Sequence, residues 1–444
     1  MPDSDVSDSS ESEDEELLLS AAFMQMEEDI AIDGDYEARR LRLATTTFLL
    51  SGVKHVRRKR AAARPRLYLR RSELLPDPRN GTPWQQLYAS KNDRAFITTM
   101  GVDVDTFHYL LFNGFAYRWN KRTIPRADVR PHGIPRLGRR SLDAAGALAL
   151  VLHWLNSTMR EVSLCQIFAL IPSTVNRYLD NALDILDRTL LHIPEAEITW
   201  PEDEEVLAEL TEIVQMRHGR LHGAFGVVDG LNLPVQVSED EDLENATYNG
   251  WLHGHFISNV FSFSPKGSIL HCTLNAPGSW HDSRVARLLY EKLRTRTPPG
   301  YYLVADTAFP AMQDRIRTPP KQNARPPAGM NATQTAEWNA FNRELLSFRQ
   351  AAEWGMRELQ GSFGRLRIPL PIADKHRRLK LLTVVARMHQ IRVHRVGISQ
   401  IRNVYVPLWR GETDELEQVW LHWEDMLFKD VRRLDRVSRF HRSQ

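Results

Sequence analysis

Two aspartates each follow a short apolar stretch with the composition of a buried β-strand. Asp229 ends the apolar part of Ala224–Gly230 (AFGVVDG), and Asp306 follows YYLVA in Tyr301–Pro310. Open α/β sheets carry their functional groups at the carboxyl ends of parallel strands, so we expect the two carboxylates to lie side by side at one sheet edge. Carboxylates a few ångströms apart repel each other unless a cation lies between them. Because oxygen ligands without thiolates suit hard ions, the pair predicts a Mg²⁺ or Mn²⁺ site.

A third carboxylate is expected from a long amphipathic helix over about residues 336–366. Apolar residues from Phe341 to Phe363 recur there at spacings of three and four, which is typical of one buried helical face. Glu353 lies at the flank of that face, and Arg349, one turn earlier, is placed to orient Glu353 or to hold a phosphate. Each acid also has an ordinary structural explanation, as a turn, cap or boundary residue.

The elements that must position these acids follow in a recognisable order. Three strand patterns lie at AFGVVDG, HFISNVFSFSP and GSILHCTLNAPGS, and the last two are joined as a hairpin at Pro265–Gly267. An amphipathic helix (DSRVARLLYEKLRT), the strand YYLVAD, a fifth strand at DRIRTPP and helices over about 336–366 and 377–396 follow. Three meandering strands and a helical crossover predict an α/β fold with a mixed five-stranded sheet flanked by helices.

A pair of helices precedes the predicted sheet. SLCQIFALIPSTVNRYL has the spacing of a helix-turn-helix, with Pro172 in the turn and Ser173 placed to cap the second helix. This interpretation puts four polar side chains at the start of a recognition helix, where they reach phosphates and base edges: Ser173, Thr174, Asn176 and Arg177. Ordinary helical bundles contain the same arrangement, so a purely structural pair of helices remains an alternative.

The charge distribution indicates a polyanionic partner. Residues 1–37 hold 14 Asp/Glu and no Lys/Arg, which leaves 42 acids and 58 bases in the rest of the 444-residue chain. A basic body with an acidic tail favours nucleic acid as partner. The tail is predicted to be disordered, and its role is either solubilising, or partner-binding or self-shielding. Lys54–Arg71 carries nine bases and no acid, which is typical of nuclear localisation or phosphate contact, or of a solvated linker.

Other features exclude several classes of protein. Two cysteines are too few for a disulfide framework, so a reducing compartment is expected. The longest apolar run, Ala144–Leu155, is too short to cross a bilayer, and no membrane partner is predicted. The pattern of residues 411–444 predicts an amphipathic helix. This helix is either packed on the rest of the chain or forms a surface for a partner or a second copy, so a homo-oligomer is one alternative.

Five stretches together resemble the PIF/Harbinger family of DDE transposases and the nucleases derived from them. They are GVVDG (226–230), YNGW (248–251) with its continuation through 258–285, ADTAFP (305–310), RQAAEWGMRELQGSFGRL (349–366) and ARMHQIRVH (386–394), in which Gln390 replaces the family's usual Asn. The resemblance covers roughly residues 138–396 and implies an RNase H-like fold preceded by a helix-turn-helix module. The implied domains are an acidic tail (1–37), a helical and basic region with linker (38–137), the helix-turn-helix module (138–195), the nuclease domain (220–396) and a helical tail (397–444).

The resemblance also implies roles for the acids. Asp229, Asp306 and Glu353 match the family's catalytic acids, and Asp282 in GSWHDSRV matches a further acid that ligates or supports a metal. Helix capping is the alternative for Asp282. The implied reaction is cleavage of a DNA phosphodiester by two Mg²⁺ or Mn²⁺ ions, one activating a water and one stabilising the leaving 3′ oxygen, with strand transfer by the freed 3′-OH.

The implied substrate is double-stranded DNA, and the family often requires a Myb-like DNA-binding protein that this chain lacks. Residues 357–402 contain 11 Lys/Arg and two acids, which predicts a phosphate-binding surface next to Glu353. The candidate contacts there are Arg349, Arg357, Arg365 and Arg367.

Three other interpretations compete with the nuclease. A domesticated transposase derivative would keep the fold and bind DNA as an adaptor without cutting. A zinc site is a second alternative, with its ligands drawn from His253, His255, His271, Cys272 and His281. A structural nuclear protein that uses only its charged tails is the third, but it leaves the paired carboxylates unexplained. The acidic loop 238–247 next to YNGW is displaced by DNA or restrains activity in the nuclease interpretation.

Overall fold

The structure is a computed structural model that describes residues 69–410 apart from 127–129, 131–132, 311–313 and 321–323. Before residue 69 it describes only positions 24, 40–41, 43–48, 51 and 54. The chain divides into two compact units, Met1–Leu67 and Tyr68–Gln444, and every element below belongs to the second. The predicted acidic tail, apart from Met24, lies outside the described residues, as do nearly all of the basic run and the part of the predicted helical tail after residue 410.

A mixed sheet of six strands forms the centre of the second unit. The strands are β1 (Ala224–Pro234), β2 (Tyr248–Asn249), β3 (Gly254–Phe263), β4 (Ile269–Pro277), β5 (Tyr302–Ala305) and β6 (Ile316–Arg317). Their order is β2-β3-β1-β5-β6, and β4 also pairs with β3. β1 runs antiparallel to β3 and parallel to β5, and β5 runs parallel to β6. The crossover from β4 to β5 therefore places β5 directly beside β1.

Fourteen α-helices surround or precede this sheet within the part of the chain that the structure describes from residue 69 onward. They are α1 (Pro83–Ser90), α2 (Asp93–Met100), α3 (Val104–Leu110), α4 (Ala116–Lys121), α5 (Ala144–Asn156), α6 (Glu161–Ile167), α7 (Pro172–Leu190), α8 (Glu204–Gln215), α9 (Glu241–Thr247), α10 (Asp282–Val285), α11 (Arg287–Thr295), α12 (Ala332–Ser362), α13 (Lys375–Ile391) and α14 (Gln400–Arg410). Short 3₁₀ turns occur at Arg71–Glu73, Leu137–Arg139, Pro194–Ala196 and Gly364–Arg367, and π turns at Leu111–Phe115 and Arg392–Val396.

The two faces of the sheet have separate cores because alternate side chains of a strand point to opposite sides. Val227 and Phe263 pack with α12 and α13 on one face, in a cluster that extends into the helices before the sheet. Val228 and Leu303 pack with α8 and α11 on the other face. The result is three layers, with the long helix α12 pressed against the strands that carry the candidate acids.

Gly355 allows α12 to approach β3 closely. A Cβ at this position would lie 2.7 Å from the Phe263 ring, so a larger residue would force the helix away from the sheet. Glu353 lies two residues earlier on the same helix, and its position therefore depends on this contact.

The sheet confirms the predicted strand order but corrects its size. Within the described part of the chain there are six strands where five were predicted, because the YNGW stretch contributes the two-residue β2, which is too short to show an alternating pattern. β1 continues to Pro234, so Asp229 lies inside a strand that was predicted to end there.

The start of α7 also differs from the prediction. Ile171 is the N-cap residue and forms no capping side-chain hydrogen bond, while Pro172 occupies the first helical position. Ser173 is therefore inside the first turn and does not cap the helix, because proline's fixed φ already suits position N1. Across the described residues, no helix has the length and apolar character needed to cross a membrane.

A candidate carboxylate active site

Asp229 and Asp306 lie next to each other at the point where β1 and β5 stop pairing. The last paired residues of these parallel strands are Val228 and Ala305, and the two aspartates follow directly. Neighbouring strands are about 5 Å apart, so the register places the two residues side by side. Asp229 Oδ1 accepts a hydrogen bond from Gly230 N at 2.8 Å. Asp306 Oδ1 accepts hydrogen bonds from both the backbone N–H and the hydroxyl of Thr307.

Asp282 reaches the same place from α10. A Cβ added to Gly230 would lie 2.6 Å from Asp282 Cγ, so the carboxylate packs directly on the backbone beside Asp229. His281, and not Asp282, caps α10 through its side chain. The capping explanation therefore does not account for Asp282, whose carboxylate faces β1.

Arg349 links Asp306 to Glu353. Its Nη2 donates to Glu353 Oε1 at 2.6 Å, and its Nη1 lies 3.9 Å from Asp306 Oδ2. The guanidinium side chain is only 20% exposed, whereas the two carboxylates are 46% and 39% exposed. The structure thus brings the three predicted acids and Arg349 together, with the arginine supplying positive charge between the second and third acid.

Asp229 experiences the strongest electrostatic strain of the group. Its pKa is raised from 3.8 to about 6, chiefly by burial and to a smaller extent by Asp306 and Asp282, while the Gly230 N–H and Arg349 oppose the shift. Burial also raises the pKa of Asp282, again with a contribution from Asp306. These carboxylates lack enough positive charge nearby, which is the condition that a bound cation would relieve.

The types of side chain at the site suit a hard divalent ion, but the present distances between their carboxylates do not. The candidate ligands are all carboxylates, which Mg²⁺ and Mn²⁺ prefer. Within residues 69–410 as described, no three His, Cys, Asp or Glu side chains lie close enough together to hold one ion. The guanidinium of Arg349 holds Glu353, so the acid would have to leave Arg349 to join Asp229 and Asp306.

The predicted helix-turn-helix residues have unequal access to solvent. α6 and α7 are joined by the four-residue turn 168–171. Ser173 and Asn176 are exposed, but Thr174 is buried. Arg177 is half-buried and folds back onto its own turn, donating to Ser173 O at 3.1 Å and Thr174 Oγ1 at 3.3 Å.

The three acids of α7 lie beside bases of α13. Asp180 pairs with Arg377 at 2.6 Å, and Asp184 pairs with Lys380. Asp187 lies near Lys380 and Arg387, whose charges oppose the rise in its pKa that burial causes. The part of α7 before Asp180 carries no acid, so it is the part better suited to contact with a polyanion.

Many bases of the predicted phosphate surface have structural partners instead. Arg378 is buried and donates to the backbone carbonyls of Pro371 and Ile372. Arg392 is also buried and donates to the carbonyl of Gly101. Arg395 pairs with Glu195 at 3.0 Å. The phosphate surface predicted over 357–402 is thus much smaller than its base count indicates, because buried backbone carbonyls and acids on other helices take up the charge.

The candidate contacts near Glu353 remain more open. Arg357 is exposed, and no ion pair forms at it among the described residues. Arg365 is half-buried over the ring of Trp154, with 4.7 Å to the centroid. Arg367 is exposed and donates to Gln360 O at 2.7 Å. These side chains follow Glu353 along the end of α12.

Three of the histidines of the alternative zinc site have other partners. His255 lies near Glu244 and Thr247, His271 near Thr273 and His281 near Ser283. The described part of the chain does not bring three of them together.

Several supporting residues were not predicted. Gly230, Thr307 and Gly355 shape the site through backbone proximity and hydrogen bonds. For Gly230 and Thr307 the sequence offered one signal, since each directly follows an aspartate of the site. Gln390, where the family pattern has Asn, accepts from Ile269 N at 2.7 Å and donates to Ile269 O, so it anchors the start of β4.

Residues 228–390 match a family model described as DDE superfamily endonuclease. The matched segment contains the four acids and Arg349. No curated protein and no solved structure matches the chain significantly.

Proposed function

We propose that this protein is a metal-dependent DNA endonuclease whose acids are Asp229, Asp306 and Glu353, supported by Asp282. The observation that carries the proposal is the convergence of these carboxylates at the end of the parallel β1–β5 pairing, within the segment similar to DDE endonucleases. Its finer points are an RNase H-like fold, kinship with PIF/Harbinger transposases and nuclear location, and all of these rest on the sequence motifs.

The proposed cofactor is Mg²⁺ or Mn²⁺, with two ions held by Asp229, Asp282, Asp306 and Glu353. Bound ions of this type lower the pKa of a water and neutralise charge on a phosphodiester. The residues themselves prepare the site. Thr307 orients Asp306, and the Gly230 N–H orients Asp229. Asp229 keeps its proton below about pH 6, so cation binding competes with that proton.

In this proposal Arg349 has two alternative kinds of partner, the carboxylates of the site and a DNA phosphate. In the structure it neutralises Glu353 and Asp306. With those acids neutralised by a bound cation, the Arg349 guanidinium would be free to bind a phosphate oxygen in bidentate geometry. Arg357, Arg365 and Arg367 extend the contact along the DNA backbone, and Ser173, Asn176 and Arg177 supply contacts from the first turn of α7. Thr174 is buried and supports that turn from within.

The second candidate function is a domesticated DNA-binding adaptor that does not cut. The observation that favours it is the spacing of the acids, since Glu353 is held by Arg349 and no three-carboxylate metal group forms among the described residues. A Myb-like DNA-binding partner or a second copy of the chain is a further proposed requirement for cutting.

The test is a cleavage assay on supercoiled and linear duplex DNA with Mg²⁺ or Mn²⁺. The wild type is compared with Asp306→Ala at protein concentrations that give equal DNA binding. We expect metal-dependent nicking by the wild type and a loss of at least about 100-fold in the variant, because mispositioning the reacting groups costs rates of that order. Asp314→Ala, an exposed aspartate after β5, is the matched control and should cut normally.

Equal nicking by the wild type and Asp306→Ala would contradict the assigned site. Tight binding without cutting by any protein would favour the adaptor, provided that adding a candidate Myb-like protein does not restore cleavage.

A further inference from the structure

A cavity of about 550 Å³ opens between α11 and α13 along the outer edge of β4. Its volume is in the range of pockets that bind small ligands. Apolar side chains from β4, α11 and the segment before α8 form part of its wall, namely Leu274, Leu288 and Ile198. None of the four candidate catalytic acids lines it.

Three bases line the same cavity: Lys292, Arg296 and Arg387. Arg296 has a partner in Glu202 at 3.0 Å, but both side chains are more than half exposed, so that pair is weak. Arg387 donates to Leu190 O at a long 3.4 Å. Glu291 also lines the cavity but is exposed. The cavity therefore carries more positive than negative charge.

Lys292 is the base with the least compensation. It is half-buried, and no carboxylate within the described residues lies within ion-pair distance of its ammonium. The Trp200 ring centroid is 5.8 Å away. Burial lowers the lysine pKa, and Arg296 lowers it further. An anion placed between Lys292, Arg296 and Arg387 would relieve both effects.

We propose that this cavity binds a nucleotide unit, with its phosphate on Lys292, Arg296 and Arg387 and its apolar body against Leu274 and Leu288. Arginines bind phosphate oxygens through paired N–H groups, and a lysine adds a compact charge. The nucleotide unit comes either from the backbone of a DNA strand or from a free nucleotide.

The site is separate from the candidate catalytic acids but lies level with them in the sheet. Cys272 in the cavity wall pairs with Phe261 on β3, which in turn pairs with Asp229 on β1. Two strand spacings, about 10 Å, separate these rows. This step rests on the proposed function: a DNA strand bound at the catalytic edge would also lie within reach of the cavity, which makes DNA the favoured source.

The experiment measures binding by isothermal titration calorimetry in EDTA, so that cleavage plays no part in it. The probes are inorganic pyrophosphate, ATP and a 5′-phosphorylated 12-nucleotide single strand. Lys292→Gln and Arg387→Gln are compared with Arg294→Gln, an exposed base of α11 outside the cavity wall. We expect each cavity variant to bind at least one probe about tenfold more weakly, and the control to stay within twofold of the wild type.

The pattern across the probes identifies the source. Weaker ATP binding in the cavity variants assigns a free-nucleotide site, whereas an effect on the 12-mer alone assigns a backbone contact. Lys292→Arg keeps the charge and should restore binding, which separates a charge effect from misfolding. The proposal is overturned if no probe binds the wild type, or if both cavity variants bind every probe as the control does. Both results are independent of whether the protein cuts DNA.

Discussion

At the scale of single residues, the site is defined by carboxylates with too little compensating charge. Asp229 is half-buried beside Asp306 and Asp282, and only the Gly230 N–H and Arg349 favour its charged form. A chain that keeps such a residue without a cation loses stability when the group ionises. This property provides a test of the site in the absence of DNA and metal.

We predict that Asp229→Asn stabilises the metal-free protein at pH 7.5 by about 1–3 kcal/mol, since about two pKa units of strain are removed. The pKa of Asp229 is raised from 3.8 to about 6 in the folded state, so ionisation costs stability as the pH rises through this interval. The gain should be absent below about pH 4 and complete above about pH 6.5. Urea unfolding in EDTA at pH 4 and 7.5 measures it.

Asp105→Asn serves as the control, because Asp105 is exposed on α3. Its stability should not differ from that of the wild type by more than about 0.5 kcal/mol at either pH. If the Asp229→Asn protein were no more stable than the wild type at pH 7.5, ionisation of the Asp229 carboxylate would carry no cost in stability.

At the scale of elements, the close contact between α12 and β3 positions Glu353. Glu353 and Gly355 share a turn of α12, and a Cβ on Gly355 would collide with the Phe263 ring. The small residue is therefore needed for packing although glycine disfavours helices. This arrangement connects the accuracy of the third acid to one glycine.

We predict that Gly355→Ala destabilises the protein by about 1–3 kcal/mol, as overpacked cores do, and reduces cleavage by displacing Glu353. Gly361→Ala on the same helix is the matched control, since its Cβ would have no atom nearer than 3.7 Å. That change should stabilise the helix by up to about 1 kcal/mol. Thermal unfolding and the nicking rate distinguish the two.

Phe263→Leu added to Gly355→Ala makes room for the new Cβ and should recover part of the lost stability. If Gly355→Ala were as stable and active as Gly361→Ala, the helix–sheet contact would not position the acid.

The sequence predicted the elements around the site better than their details. The strand order and the buried face of α12 follow from hydrophobic spacing, and both are present. The extension of β1 past Asp229 was missed because a glycine and polar residues interrupt the apolar run there, although burial continues to alternate along the strand. Partners distant in the chain, such as Asp180 for Arg377 or Gly101 for Arg392, leave no local pattern, so the basic surface was overestimated.

At the scale of the whole molecule, the basic character of the chain is distributed unevenly. Bases on α13 are paired with acids of α7, whereas Arg357 on α12 is exposed near Glu353. Formal charge therefore gives a poor measure of the surface available to DNA, and the position of each base relative to an acid matters more.

We predict that Arg357→Gln lowers DNA affinity and reduces the slope of log K against log salt concentration by about one. Arg377→Gln removes the same charge but from a base held by Asp180 at 2.6 Å, and should change the slope much less. Fluorescence polarisation with a labelled duplex between 50 and 300 mM KCl (about the range where counterion release dominates) measures both. Equal slopes for the two variants would mean that DNA does not contact the end of α12.

The measurement that tests the central claim most directly is a Mn²⁺ titration, in which the electron paramagnetic resonance signal of the free ion reports how much is bound. We predict that the wild type binds Mn²⁺ at pH 7.5, that Asp306→Asn loses at least about tenfold in affinity, and that Arg349→Gln binds more tightly because the competing guanidinium is gone. Arg343→Gln, an exposed base earlier on α12, should behave as the wild type. Binding that is unchanged by Asp306→Asn, or weaker in Arg349→Gln than in the wild type, would contradict the account of these carboxylates as a divalent-metal site.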